Sequence, residues 1–230
     1  MRLRNLLRSE RGTTMPELLV GMATGMIVML GMTTLVIVTV HTTARVSARV
    51  DATQRSRLTL TRVIDQLHSA CIAPKIPPIR KESTSTSLRL IHAGGSQVSP
   101  VPTLTVFSLT GTTLTQSDYA WKSGAAPFWV FNTTPSATTD VMKHVTPISA
   151  TQPVFTYYGS SSGAISGTPF VTPLSELDAS RTIQVRIALK TAPFKGPTAD
   201  ESTPSRIQGS ATLRLTAPSF NKEAPSLPCQ

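Results

Sequence analysis

Residues 11–18 read Arg11-Gly12-Thr13-Thr14-Met15-Pro16-Glu17-Leu18, and LVGMATGMIVMLGMTTLVIVTV continues from Leu19 to Val40. From Leu18 to Val40 run 23 residues without a charge or a proline, and nothing later in the 230-residue chain approaches this. As a helix such a run crosses a hydrocarbon core of about 30 Å. After Val40 the chain turns rich in Thr, Ser and Pro, with only short apolar runs. The sequence therefore predicts a single-pass protein, with roughly 190 residues on one side of the membrane.

The boundary before the run has its own physics. In a helix that begins at Thr13, Pro16 falls in the first turn, where an amide has no intrahelical partner and its loss costs little. A helix continuing upstream through Gly12 would meet the proline ring. Gly12 and Pro16 together place the helix start here. Glu17 then lies in the first turn, where the helix dipole favours a carboxylate. An ionisable side chain at the edge of a span is also a functional candidate whose partner has to be named. Gly21 and Gly25 form a small-xxx-small pair, a spacing that lets helices approach closely in lipid.

The formal net charge is +10. Arg2, Arg4, Arg8 and Arg11 precede the span, opposed only by Glu10; Arg45, Arg49, Arg55, Arg57 and Arg62 follow it, with Asp51 and Asp65 among them. From Cys71 onward the charges are scattered and single. This distribution reads as a basic leader plus a solvated helix face rather than a nucleic-acid surface. Because long domains translocate largely regardless of charge, the expected orientation is N-terminus in the cytoplasm and head outside. An ordinary secretory signal fits poorly. The apolar stretch is too long, and no small-residue cleavage site closes it before the polar stem.

The segment Gly12-Thr13-Thr14-Met15-Pro16-Glu17-Leu18-Leu19 resembles the prepilin family, whose leaders end in Gly and whose mature chains carry a glutamate at their fifth position. The resemblance implies cleavage by a prepilin peptidase between Gly12 and Thr13, N-methylation of Thr13, and a role for Glu17 in filament assembly, neutralising the Thr13 amine of an adjacent subunit. Thr13 stands where the family usually has Phe or Met, and Pro16 where it has an aliphatic residue. The head is similar in order to minor pseudopilins of the J class and W-type minor pilins. The residues that carry this are Arg62 and Asp65, Val154-Phe155-Thr156-Tyr157-Tyr158, Pro173-Leu174 and the strand from Ile183.

Beyond the span the helical pattern continues. No proline or glycine occurs from Val40 to Ala73, and Leu60, Val63, Ile64, Leu67, Ala70 and Cys71 share one face. Pro74, Pro77 and Pro78 end it. Residues 47–57 are polar all round, a stretch expected to fray or bend. The head reads as β. Thr182–Lys190 alternates cleanly and Ser210–Thr216 repeats the pattern, with weaker strands at Ser87–His92, Thr103–Leu109, Phe128–Asn132 and Val154–Tyr158. Gly159–Gly167 and Pro193–Pro204 read as loops. The expected fold is α+β: a long N-terminal transmembrane and stem helix followed by an antiparallel, pilin-like β head. The expected boundaries are 1–12 leader, 13–40 span, 41–73 stem and 74–230 head.

Catalytic chemistry finds no support in the sequence. His41, His68, His92 and His144 are widely separated without metal-ligand spacing, and each reads as a surface residue. No phosphate loop, serine elbow or calcium loop occurs. The acids Asp200-Glu201 and Glu176/Asp178 read as solvated loop charges. Trp121, Phe128, Trp129 and Phe131 read as core, the alternative being an exposed binding patch. No enzyme activity, cofactor or metal is expected.

The expected function is structural: a subunit, of the minor kind, of a type IV pilus or type II secretion pseudopilus. Its expected partners are the prepilin peptidase, other pilins or pseudopilins, and membrane lipid. The alternatives are a pilus-borne adhesin or DNA-uptake subunit, and an unprocessed membrane-anchored domain. Cys71 and Cys229, the only cysteines, both fall on the expected extracytoplasmic side, where disulfides persist. A bridge between them would pin the proline-rich terminal segment to the helix; two separate thiols remain the other reading.

Overall fold

In the computed structural model, residues 14–70, 77–96, 99–124, 128–161, 164–192 and 204–213 are described. The chain divides into two compact units between Val46 and Ser47. Helix α1 (Met15–His68) contributes to both. Its first bonds run to the carbonyl of Thr14, from the amides of Glu17 (2.9 Å) and Leu18 (3.2 Å). Thr14 is thus the N-cap and Pro16 lies in the first turn, where its missing amide is harmless. At the other end the Asp65 carbonyl accepts from Ser69 N at 2.9 Å, and the Leu67 carbonyl accepts from Ala70 N at 3.3 Å.

The helix stops at His68, short of the expected Ala73. Ala70 is instead drawn into a β-bridge with His92. Apolar periodicity runs on through Ala70, but tertiary pairing of its backbone wins. Cys71 and Cys229 lie outside the described residues. The expected fraying over 47–57 is also corrected: this stretch is helical, and Ala52 and Ser56 are buried along with Thr59, Val63 and Leu67. Periodicity in large apolar residues missed this part of the stripe because small and hydroxylated side chains form it.

The head holds two antiparallel sheets. The first contains β1 (Ser87–Ser96), β2 (Ser99–Thr110) and β3 (Thr113–Ser123) in that order. β4 (Val130–Phe131) and β5 (Ala137–Met142) pair with successive stretches of β3. In the second sheet the central strand is β9 (Thr182–Thr191). β10 (Ser205–Thr212) lies along one edge of it; β6 (Val145–Thr146) and β7 (Phe155–Ser161) lie along the other. β8 (Ala164–Ile165) extends the sheet beyond β7, and a short helix α2 (Glu176–Arg181) leads directly into β9.

The register explains the core. Leu88 sits opposite Phe107, which sits opposite Gln116; Leu109 sits opposite Leu114. On β9, Val185, Ile187 and Leu189 are buried as their alternation predicts, and Ala188 is buried too. Val63 and Leu67 of α1, Leu88, Leu90 and Phe107 of the first sheet, and Phe155, Tyr157 and Ile187 of the second form one hydrophobic cluster. Ala211 and Leu213 join it, as the alternation of the last strand predicts, although β10 begins five residues earlier than expected.

Strand β3 escaped the sequence reading because its inward row is Leu114, then a buried Gln116, then Asp118, and so lacks apolar alternation. The turn that creates it was legible. Thr110 faces Thr113 across Gly111, whose φ of +60° is cheap only for glycine. The loop expected over Gly159–Gly167 holds the end of β7 and β8 instead, with Ser160 opposite Ile165. The expected strand Phe128–Asn132 reduces to the two residues of β4. Pro193–Pro204 lies outside the described residues apart from Pro204 itself.

Candidate functional site

The cleavage pair Gly12 and Thr13 lies outside the described residues. The residues immediately after this pair are in place. Thr14 caps the helix and Glu17 is its third residue, the only acidic side chain of the first turn. The Thr-x-x-Glu spacing of Thr14 and Glu17 is that of a capping box, a start signal the sequence reading passed over.

Above Glu17, every described residue from Thr14 to Ser47 is exposed. Leu19, Ile27, Met29 and Leu35 each retain two thirds or more of their surface, at 68%, 68%, 74% and 69%. The most apolar stretch has a mean hydropathy of 2.1, and α1 is the one helix among the described residues long and apolar enough to cross a membrane. Such a surface fits an anchor in a bilayer. The positions where Cβ atoms would stand at Gly21, Gly25 and Gly31 have no heavy atom within 4 Å.

The threonines of the apolar run are satisfied internally. Thr33 Oγ1 donates to the Met29 carbonyl at 2.8 Å, Thr34 to Gly31 at 2.8 Å and Thr39 to Leu35 at 2.7 Å. Thr24 reaches both Val20 and Gly21 at 3.0 Å. In lipid an unpaired hydroxyl is costly, and bonding back to the preceding turn removes that cost.

The head residues that carried the resemblance have separate fates. Arg62 and Asp65 are exposed on α1. Tyr157 is fully buried, and its hydroxyl donates toward the carbonyls of Thr84 (3.0 Å) and Ser87 (2.9 Å). Burial pushes its phenol far above the usual range, against a smaller opposing effect of Ser83. Tyr158 lies under the Arg186 guanidinium, 5.1 Å from ring centre to charge centre. Leu174, following the cis Thr172–Pro173 bond, is buried and pairs through its backbone with Glu82 and Ser83. These are packing roles.

His92 is not the surface residue the sequence suggested. Its Nε2 lies 2.9 Å from Thr105 Oγ1, which donates to Asp118 Oδ1 at 2.5 Å, and Gln116 Nε2 donates to the same carboxylate at 2.9 and 3.0 Å. Thr105 and Gln116 are buried, while His92 and Asp118 at the ends of this polar chain are half-buried. His41, His68 and His144 are exposed, as expected. No group of three or more metal-ligating side chains occurs among the described residues.

The aromatic ribbon also corrects its expectation. Trp121 keeps 42% of its surface, Phe128 80% and the adjacent Val130 50%, while Trp129 and Phe131 are half-buried, so these residues are not core. They lie where β3 and β4 pair Trp121 with Phe131, and the Trp121 indole donates to the Gly124 carbonyl at 3.0 Å.

Comparison with models of known families finds none that matches the chain. No curated protein matches it either.

Proposed function

We propose that the chain is a filament subunit of the type IV pilus or type II secretion pseudopilus kind, of the minor sort, packed through its N-terminal helix. A prepilin peptidase cleaves after Gly12, and Thr13 becomes the methylated N-terminal residue. The head is extracytoplasmic. One observation carries the reading: the helix takes its first bonds from Thr14, has Glu17 in its first turn, and continues directly into a wholly exposed apolar surface. A cut after Gly12 would leave a new amine about one turn from Glu17, and an adjacent copy's carboxylate could neutralise that amine in a medium where an unpaired charge is costly.

The test is intact-mass measurement after co-expression with a prepilin peptidase. The expected mature chain has 218 residues and begins at Thr13. Gly12→Val abolishes the cut. A mature N-terminus inside or beyond the apolar run would mean ordinary signal peptidase and would end this reading.

A second reading, an adhesive subunit, rests on the exposure of Trp121, Phe128 and Val130. It expects Trp121→Ala to reduce surface attachment while leaving assembly intact.

A further inference from the structure

The two ends of β9 carry features that match each other. At its start, α2 presents Leu177, 56% exposed, between Glu176 and Asp178. The helix packs inward through Ala179, which is fully buried, so Leu177 is not needed for that contact. Ser175 caps the helix, accepting from Asp178 N at 3.0 Å and donating to Asp178 Oδ2 at 2.8 Å; the base within the helix is Arg181, in the last turn. The result is an apolar knob with acidic flanks.

Beyond the other end of β9, at Ala192, lies a cavity of about 360 Å³. Ala52 and Thr59 of α1 and Met142 of β5, all buried, contribute to its wall, and Leu58, 72% exposed, stands at its mouth. Arg55, Lys143 and His144 line it as well, with Asp140 as the opposing acid. Arg55 is paired with Asp51 and Lys143 with Asp140, all four side chains being about half exposed. Ion pairs of that exposure contribute little and exchange partners readily. A docking carboxylate would compete with Asp51 and Asp140 for these bases.

We propose that the cavity beside Leu58 receives the Leu177 knob of a second copy of this chain. Glu176 and Asp178 of that copy then meet Lys143 and Arg55. The occupant is set by complementarity: an apolar hole with a basic rim, and an apolar knob with acidic flanks, on the same molecule. β9 has 10 residues, so the two features stand roughly 30 Å apart along the strand. A contact between unlike surfaces at opposite ends leaves a free hole and a free knob at each step, so it propagates to longer species unless the rotation closes a ring. This goes beyond the filament reading, since it joins copies through unlike surfaces of the head rather than through the N-terminal helix, and it is tested without processing or assembly machinery.

The experiment uses the full, uncleaved chain in detergent micelles, mixed from isotopically light and heavy preparations. The photoreactive residue benzoylphenylalanine replaces Leu58, which is exposed enough not to disturb folding. The expected product is a ladder of dimers, trimers and longer species whose cross-linked peptides join position 58 of one isotope to the α2 segment of the other. Leu177→Glu lowers the yield about tenfold or more, the scale of losing one buried leucine. Lys143→Glu and Glu176→Lys each lower it, and the two together restore it. Cross-links to another surface, closed dimers alone, or a yield indifferent to Leu177→Glu would overturn the proposal. If the ladder fails while the mature N-terminus is Thr13, only this contact is lost; a ladder with no cleavage at Gly12 removes the filament reading and leaves the contact.

Discussion

Ser56 Oγ of α1 lies 3.0 Å from Thr191 Oγ1 at the end of β9, and both residues are fully buried. Ser56 also donates to the Ala52 carbonyl at 2.7 Å, so Thr191 supplies the second proton of the seam. One turn earlier Thr53 Oγ1 lies 3.0 Å from Ser205 Oγ of β10. Hydroxyls thus join this stretch of the helix to the second sheet, where Val63 and Leu67 join it through apolar packing further along.

Ser56→Ala should destabilise the head by about 1–3 kcal/mol, since it leaves the Thr191 hydroxyl buried without that partner. Thr191→Val should cost about 1 kcal/mol, because Ser56 keeps its bond to Ala52. The double variant should lose less than the sum, since the two residues share one interaction. Urea midpoints of the full chain in micelles, followed by tryptophan fluorescence, measure all three.

Gly209 of β10 lies against Leu60. A Cβ there would stand 2.7 Å from Leu60 Cδ2 and 3.0 Å from Cδ1. Gly209→Ala is expected to cost about 1 kcal/mol, because the half-buried Leu60 side chain can turn away only in part. Leu60→Ala in the same chain should recover part of that loss, although Leu60→Ala alone is destabilising. Independent, additive losses in the two variants would show that the close approach is not the cause.

Tyr157 gives the head an alkaline limit. Burial raises its phenol above the ordinary value of 10.0, so the folded state holds the protonated form and the unfolded chain releases the proton first. The stability it contributes is complete below pH 10 and falls as pH rises beyond it. Tyr157→Phe should cost about 1–2 kcal/mol near neutrality, for the lost bonds to Thr84 and Ser87, and flatten the decline above pH 10. Parallel stability curves for the two proteins above pH 10 would contradict this.

Glu17→Leu should leave cleavage after Gly12 intact and reduce recovery in sheared filament fractions about tenfold or more, the scale of removing one partner of a buried charge pair. Thr14→Ala, which changes the helix start but keeps Glu17, should leave incorporation near normal. Equal effects of the two substitutions would assign Glu17 to capping alone.

The sequence showed most plainly those parts where a single periodicity spoke. The charge-free run after Glu17 marked the span, and the strict alternation of Ile183, Val185, Ile187 and Leu189 marked β9. It was silent where burial is achieved by small or polar side chains. Ala52, Ser56 and Thr59 complete the buried stripe of α1, and Gln116 and Thr105 occupy the inner face of the first sheet, yet none of these has the hydrophobicity on which pattern reading depends. It also misjudged the aromatics. Trp121 and Phe128 look like core by residue type, but the short pairing of β3 with β4 holds them at an edge. Helix length was misread for a different reason: the bridge from Ala70 to His92 is a long-range event that no local pattern announces.

The threonines of the apolar run have a wider consequence. Each hydroxyl that donates to a carbonyl of its own helix asks nothing of its surroundings. The segment can therefore trade one environment for another, acyl chains for neighbouring polypeptide, with no polar group to be re-satisfied on the way. Within the run no polar side chain is left to prefer one apolar neighbour over another, and the nearest carboxylate, Glu17, stands just before it. Such a helix is disfavoured by water through its apolar surface, yet among apolar media its hydroxyls impose no preference.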